Sequence, residues 1–266
     1  MLESNRRDRQ ACPRRGCELR TRYTPTDVGV LTQEEARRFL AGGTGDPRTD
    51  VSLAWELLYR LEPELYDRLV GVERLHPDVI GWLPHDLERI VEVAAGTGRL
   101  TLELVDRARE VVAIEPAAPL REILKRKLAA AGHAHHVHVT HGFFDELPVA
   151  DDWADAVVAC SALTPAPEHG GAAGLAEMER VCRPGGRVVI VWPNEVRWLS
   201  AHGYRHVSFD GEMFVEFASR EEAAELSEIF YPRAVGEIRR GRWRRIPYDA
   251  LGIKPPRDLA FKVLAQ

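Results

Sequence analysis

Two carboxylates and two glycines are the residues whose types and spacing could do chemistry. Glu92 stands four residues before Gly96 in Ile90-Val91-Glu92-Val93-Ala94-Ala95-Gly96-Thr97-Gly98-Arg99-Leu100-Thr101. Glu115 closes the next hydrophobic run, Val111-Val112-Ala113-Ile114. Gly96 and Gly98 admit backbone angles that a Cβ forbids, and they leave no side chain between the main chain and a ligand. The first N–H groups of a following helix suit the polar or anionic part of a nucleotide-like cofactor. A carboxylate at the end of the second strand can accept both hydroxyls of a ribose.

The elements that must position these groups are legible as a periodicity. Ile90, Val91 and Val93 give the first run the β-branched character of a buried strand. From residue 88 onward strand and helix alternate. Strands are expected at 88–94, 110–115, near 136–140, near 155–160 and at 187–192, with helices at 98–108, 116–131 and 175–182. Such alternation predicts a parallel sheet with helices on both faces, binding its ligand at the carboxyl ends of the strands where the strand order reverses. Gly96, Glu115, Phe144 and Cys160 then share one edge. Upstream, Thr32-Gln33-Glu34-Glu35 is a capping box that opens a short helix. Leu53, Leu57, Leu58 and Leu61 form an apolar helical stripe, and Pro63 opens a helix carrying Leu65, Tyr66, Leu69 and Val70. Downstream, 194–204 reads as helix and loop, 212–217 alternates like a strand, and Ser219-Arg220-Glu221-Glu222 opens a helix to about Tyr231. Leu259–Leu264 is expected as a last, antiparallel strand.

Five landmarks in order carry a family resemblance. Glu92-Val93-Ala94-Ala95-Gly96-Thr97-Gly98 resembles the first motif of the class I S-adenosylmethionine-dependent methyltransferases, [D/E]-x-G-x-G-x-G. Val112–Pro116 resembles their second-strand motif, Gly142–Pro148 the segment flanking the adenine, Asp155–Ser161 the fourth strand, and Arg183–Ile190 the turn into the fifth. The resemblance runs from about residue 88 to 192 and is nearest to the small-molecule branch. It implies an α/β, Rossmann-like seven-stranded sheet with helices on both faces and an N-terminal helical cap. The division expected is a cap at 31–84 and a methyltransferase domain at 85–266, preceded by an arm at 1–30 that composition suggests. It also implies methyl transfer from S-adenosylmethionine to a small-molecule acceptor. The cofactor-binding residues it points to are Tyr66, Glu92, Ala94, Ala95, Gly96, Thr97, Gly98, Glu115, Pro116, Phe143, Phe144, Asp145 and Cys160. Of these, Tyr66 matches a cap-helix Tyr-Asp pair, Glu115 the ribose ligand, and Phe143 to Asp145 the border of the adenine. Two positions depart from the pattern. Ala94 replaces the first glycine of the motif, and Phe143 stands where an acidic residue is common.

Composition narrows the alternatives. A net charge of −5 and a pI near 6.1 give no overall attraction to nucleic acid. No apolar run approaches the roughly 20 residues that span a bilayer, and Met1–Arg7 lacks the apolar core of a signal peptide, so a cytoplasmic protein is expected. Seven arginines before Thr24 favour a disordered, solvated arm over residues 1 to about 30. Arg239–Arg245 reads as a solvated basic turn before an edge strand rather than a phosphate site. Cys12 and Cys17 lack further ligands nearby for zinc, and Cys160 and Cys182 read as buried thiols. The histidines from His133 to His141 coincide with the third strand and its lead-in, and no metal is expected there. Acceptor-side candidates are His169, as a base, and Trp192, Asn194 and Trp198, as a pocket lining. A nicotinamide-dependent dehydrogenase would also use the span from Gly96 to Glu115, but it leaves Glu92 and Pro184-Gly185-Gly186 unexplained. A ribosomal-RNA adenine dimethylase shares Gly96–Thr101, yet Cys160-Ser161-Ala162-Leu163 lacks the asparagine and aromatic that hold a flipped base. A non-catalytic protein that keeps the cofactor fold is the remaining alternative.

Overall fold

The computed structural model describes residues 17–241 and 243–266. They fall into two compact units. One comprises residues 17–57 together with Phe217–Ile253, the other Leu58–Glu216 together with Lys254–Gln266.

The second unit is built on a seven-stranded sheet. Its strands are β1 (Leu87–Val93), β2 (Ala108–Ile114), β3 (Val137–Thr140), β4 (Ala154–Cys160), β5 (Cys182–Val191), β6 (Arg205–Ser208) and β7 (Asp258–Val263), in the order β3-β2-β1-β4-β5-β7-β6. The neighbours among β1 to β5 pair in parallel, and β7 runs antiparallel to both β5 and β6. Val93 faces Ile114 and Ala159 across the sheet, and Cys160 faces Val191, so four carboxyl ends lie side by side. The strand order reverses between β1 and β4, which makes that edge the place for a ligand. β-Branched residues buried on both faces hold the centre: Ile90, Val91, Val111, Val157, Val188 and Val189 are all solvent-excluded. β1, β4 and β5 are each followed by a non-glycine residue in the left-handed region, Ala94 (φ 57°), Ser161 (φ 53°) and Trp192 (φ 50°).

The helices of this unit include α4 (Pro63–Val72), α5 (Pro77–Trp82), α6 (Thr101–Leu104), α7 (Ala118–Ala130), α8 (Gly171–Val181) and α9 (Val196–Ala201). The expected helix at 98–108 shrinks to α6. β2 must begin at Ala108 to pair with Leu87, and the Arg107 amide closes on Leu104 O at 2.9 Å, so no length remains for further turns. β6 escaped the periodicity because Arg205, His206 and Ser208 leave an edge strand with no apolar alternation.

The first unit contains α1 (Cys17–Arg22), α2 (Gln33–Leu40), α10 (Arg220–Phe230), α11 (Val235–Gly241) and α12 (Tyr248–Leu251), with α3 (Val51–Leu61) crossing the boundary. The capping box forms as expected: the Glu35 amide donates to Thr32 Oγ1 at 3.2 Å, and the Thr32 amide to Glu35 Oε2 at 2.8 Å. Trp55 stacks on Phe230 at 5.9 Å. Residues 17–30 differ from the expected disordered arm: they form α1 and a 3-10 turn at Pro25–Val30, because Leu19 and Tyr23 bury their side chains. The rest of that expectation, residues 1–16, and Cys12 with it, lies outside the described residues. The boundary expected at residue 84 falls instead within α3. Residues 217–253 fold with the N-terminal helices, whereas α5 packs on the sheet through Trp82 against Phe261 at 4.8 Å.

Candidate active site

The site is assembled at the carboxyl ends of β1, β2, β4 and β5. β1 delivers the buried Glu92 and then turns through Ala94 and Ala95, whose amide donates to Ile114 O at 3.0 Å. Gly96 (φ 57°) and Gly98 (φ 98°) bend the chain into α6, and the Gly98 amide returns to Ala95 O at 3.0 Å. A Cβ on Gly96 would stand 3.4 Å from the Tyr66 hydroxyl, which lies over this bare stretch of backbone from α4. A Cβ on Gly98 would strike Leu124 of α7 at 2.7 Å. Both glycines are therefore favoured by their backbone angle, and at Gly98 a Cβ would also press on Leu124.

Glu115 sits just past the end of β2, only 4% exposed. Its Oε2 accepts the Gly96 amide at 2.9 Å and its Oε1 the Ala117 amide at 2.8 Å. The carboxylate thus fixes the glycine turn against the second strand while each oxygen keeps a further lone pair. Burial raises its pKa, with the two amides pulling against that. Arg121 clamps the same corner, donating to Glu115 O at 2.6 Å and Pro116 O at 2.7 Å. Burial also pushes Glu92 up to about 8, against a lowering by neighbouring Thr101. Glu92 Oε2 and Thr97 Oγ1 are buried with no hydrogen-bond partner among the described residues.

Lys127 of α7 donates to Thr97 O at 3.1 Å and pairs with Asp67 of α4, tying the turn to the helix that carries Tyr66. Burial pushes the Tyr66 phenol up to about 12. Cys160, at the end of β4, has its thiol pushed up to about 11 by burial, with the Arg99 guanidinium beside it lowering it. Arg99 donates to Glu73 Oε2 at 3.0 Å and lies over the Trp192 ring at 5.1 Å. Trp192 is held by its own amide on Asp258 O at 2.8 Å and by Nε1 on Lys254 O at 3.1 Å.

The expected adenine segment is spread over several environments. Phe143 is buried with its ring edge-on to His141 at 5.1 Å, Phe144 packs where Gly170 and Gly174 of α8 leave room for it, and Asp145 is exposed. His169 ends the 3-10 turn Pro167–His169, whose backbone closes on Thr164. Trp198 packs against His202 at 5.0 Å, and Asn194 is exposed. Among the described residues no group of three or more His, Cys, Asp or Glu is placed to hold a metal ion. No helix there is long and apolar enough to cross a membrane. The contacts of Glu73, Arg99, Lys127 and Asp67 were missed from sequence, since only the tertiary fold joins them. The one available signal was Glu73 lying two helical turns beyond Tyr66.

Comparison with known proteins agrees with this geometry. Residues 90–186 match the profile of a methyltransferase domain family. Over that segment the chain is similar to methyltransferase domains. An uncharacterized methyltransferase of Mycobacterium bovis is 34% identical over 120 residues, 44% of either chain. The ubiquinone/menaquinone biosynthesis C-methyltransferase UbiE of Geotalea daltonii is 34% identical over 106 residues, 39% of this chain and 44% of its own length. A demethylmenaquinone methyltransferase of Clavibacter sepedonicus is 37% identical over 103 residues, 39% of this chain and 40% of that one. The matched region therefore spans less than half the length of these relatives. Among solved structures, a chain from the complex of the Haloferax volcanii Trm112 methyltransferase activator with a methyltransferase shares the fold. Its TM-score is 0.51, with 14% identity over 78% of this chain and 96% of that one.

Proposed function

We propose that this protein transfers a methyl group from S-adenosylmethionine to a small-molecule acceptor. The observation that carries the reading is the Glu115 carboxylate, which bridges the Gly96 and Ala117 amides beside a turn stripped of side chains. The residues fit the cofactor on three counts. Glu115 has acceptor capacity left for ribose hydroxyls, Gly96 leaves a cradle under Tyr66 that a Cβ would fill, and Glu92 Oε2 is a buried oxygen with no partner among the described residues. Glu115 would hold the sugar, Glu92 and Thr97 the polar end, and Tyr66 would cover the turn. Pro116 and the segment Phe143–Asp145 would border the base, and Cys160 would flank the methionine portion. When bound, the cofactor supplies an activated methyl group. The protein's part is to keep the acceptor atom in line with it and to exclude water. The quinone C-methyltransferases among the relatives support a small-molecule acceptor.

The test is calorimetric titration with S-adenosylmethionine, S-adenosylhomocysteine and NAD. Uptake of the first two and not the third is expected. Binding of NAD alone, or of none, would overturn the reading.

A further inference from the structure

The run Arg239–Arg245 has no part in the site described above, and it holds five arginines, one tryptophan and no acidic residue. From sequence it reads as a solvated turn. The structure shows how that turn is presented. Ile238 in α11 and Ile246 in the short strand Arg245–Pro247 are both buried, so the chain is anchored on either side of it. The Phe217 amide donates to Arg244 O at 2.9 Å, and Arg244 Nη1 donates to Ala218 O at 3.3 Å. Between the anchors Arg239, Arg240, Gly241, Trp243, Arg244 and Arg245 are all exposed.

Trp243 distinguishes the turn from an ordinary charged loop. It is 44% exposed, whereas the other described tryptophans are buried or half-buried. Its ring lies against Gly241, where a Cβ would meet Nε1 at 2.5 Å and Cε2 at 2.6 Å. The pyrrole edge is therefore the covered one. The hydrocarbon edge is left in water, an unfavourable exposure that an apolar partner would relieve. The fold does not neutralise every arginine beside it. Arg239 pairs with Glu228. Arg240 and Arg244 have no carboxylate partner among the described residues, and Arg244 is bonded to a neutral carbonyl. A local excess of positive charge thus surrounds an exposed indole, on a chain whose net charge is −5.

Uncompensated cations and an outward indole suit a surface that is anionic at its face and apolar just beneath. A nucleic-acid strand fits less well. Single strands are held along a groove with successive bases on successive rings, and one protruding turn supplies neither a groove nor a second ring. We infer that this turn docks on an anionic lipid surface, with Trp243 entering the headgroup–acyl boundary and Arg240 and Arg244 lying against lipid phosphates. The inference stands apart from the function proposed above, since all of these residues lie in the other unit from the cofactor turn.

The test is co-sedimentation of the full chain with vesicles of phosphatidylcholine alone and of phosphatidylcholine with about one-third phosphatidylglycerol. Binding to the anionic vesicles only is expected, weakening as salt is raised and accompanied by a blue shift of tryptophan emission. Arg240→Ser with Arg244→Ser should lower the partition coefficient about 25-fold, or roughly fivefold for each arginine. Trp243→Ser should remove the blue shift and weaken binding to the same vesicles. Both variants should melt like the parent, which separates lost docking from lost folding. Equal binding to neutral vesicles, no binding to either kind, or an undiminished partition in the arginine double variant would overturn the inference. So would capture by a polyuridine oligonucleotide with the anionic vesicles left unbound. Uptake of S-adenosylhomocysteine, read separately, reports on the proposed function and not on this surface.

Discussion

Glu115 and Glu92 are both buried carboxylates a few ångströms from bare backbone, yet their surroundings set them different tasks. Glu115 is satisfied by two amides, so Glu115→Ala leaves two buried N–H groups without acceptors, at a cost of about 1–3 kcal/mol each. S-adenosylhomocysteine affinity should fall at least about tenfold by calorimetry, with Glu115→Gln in between. Glu92 Oε2 has no partner among the described residues, and its pKa is raised from the ordinary 4.5 to about 8. Its neutral form is the one the fold prefers. The stability it contributes is therefore full below pH 4.5 and is lost as the pH climbs through about 8. The slope is about 1.4 kcal/mol per pH unit between those values. In urea denaturation of the unliganded protein at a series of pH values, Glu92→Gln should make stability fall less steeply with rising pH than in the parent. Both carboxylates were legible in the sequence because their meaning lies in local spacing to Gly96 and to the end of a hydrophobic run. Arg99 was read only as the start of a helix, since its partners Glu73 and Trp192 are brought to it by tertiary packing.

At the level of elements, α4 is tied to the cofactor turn by more than apolar contact. Tyr66 covers Gly96, Asp67 pairs with Lys127, and Lys127 also holds the Thr97 carbonyl. Lys127→Met should weaken S-adenosylhomocysteine binding by roughly fivefold, about the worth of one partly exposed pair plus one hydrogen bond. Lys127→Arg should recover part of the loss. A Lys127→Met protein that binds as tightly as its parent would show the tie to be incidental. The strand–helix alternation was readable because the carboxyl-terminal halves of β1, β2, β4 and β5 are runs of mostly buried apolar residues. The length of α6 was not, because the register of β2 against β1 sets it. β6 was hidden for a related reason, since its exposed Arg205 and His206 carry no apolar pattern.

Across the whole molecule, every residue assigned to the candidate site belongs to the unit made of Leu58–Glu216 and Lys254–Gln266. Hydrogen exchange on adding S-adenosylhomocysteine should therefore slow in residues 90–117 and in α4, and change little in 217–253. Slowing that extends equally through 217–253 would show that the other unit shares in the binding. The family resemblance placed a domain boundary at residue 84 by treating the helices before it as one cap. What separates them is their partners, Phe230 for Trp55 and Phe261 for Trp82. The left-handed residues that follow β1, β4 and β5 have a consequence for how this chain would evolve. Each is expected to hold about 1–3 kcal/mol of backbone strain, and glycine would release it at Ala94 and Ser161. A library selected only for surviving heat, with no demand for turnover, should drift toward glycine at those two positions. Survivors that keep alanine and serine would mean that the kinks cost nothing.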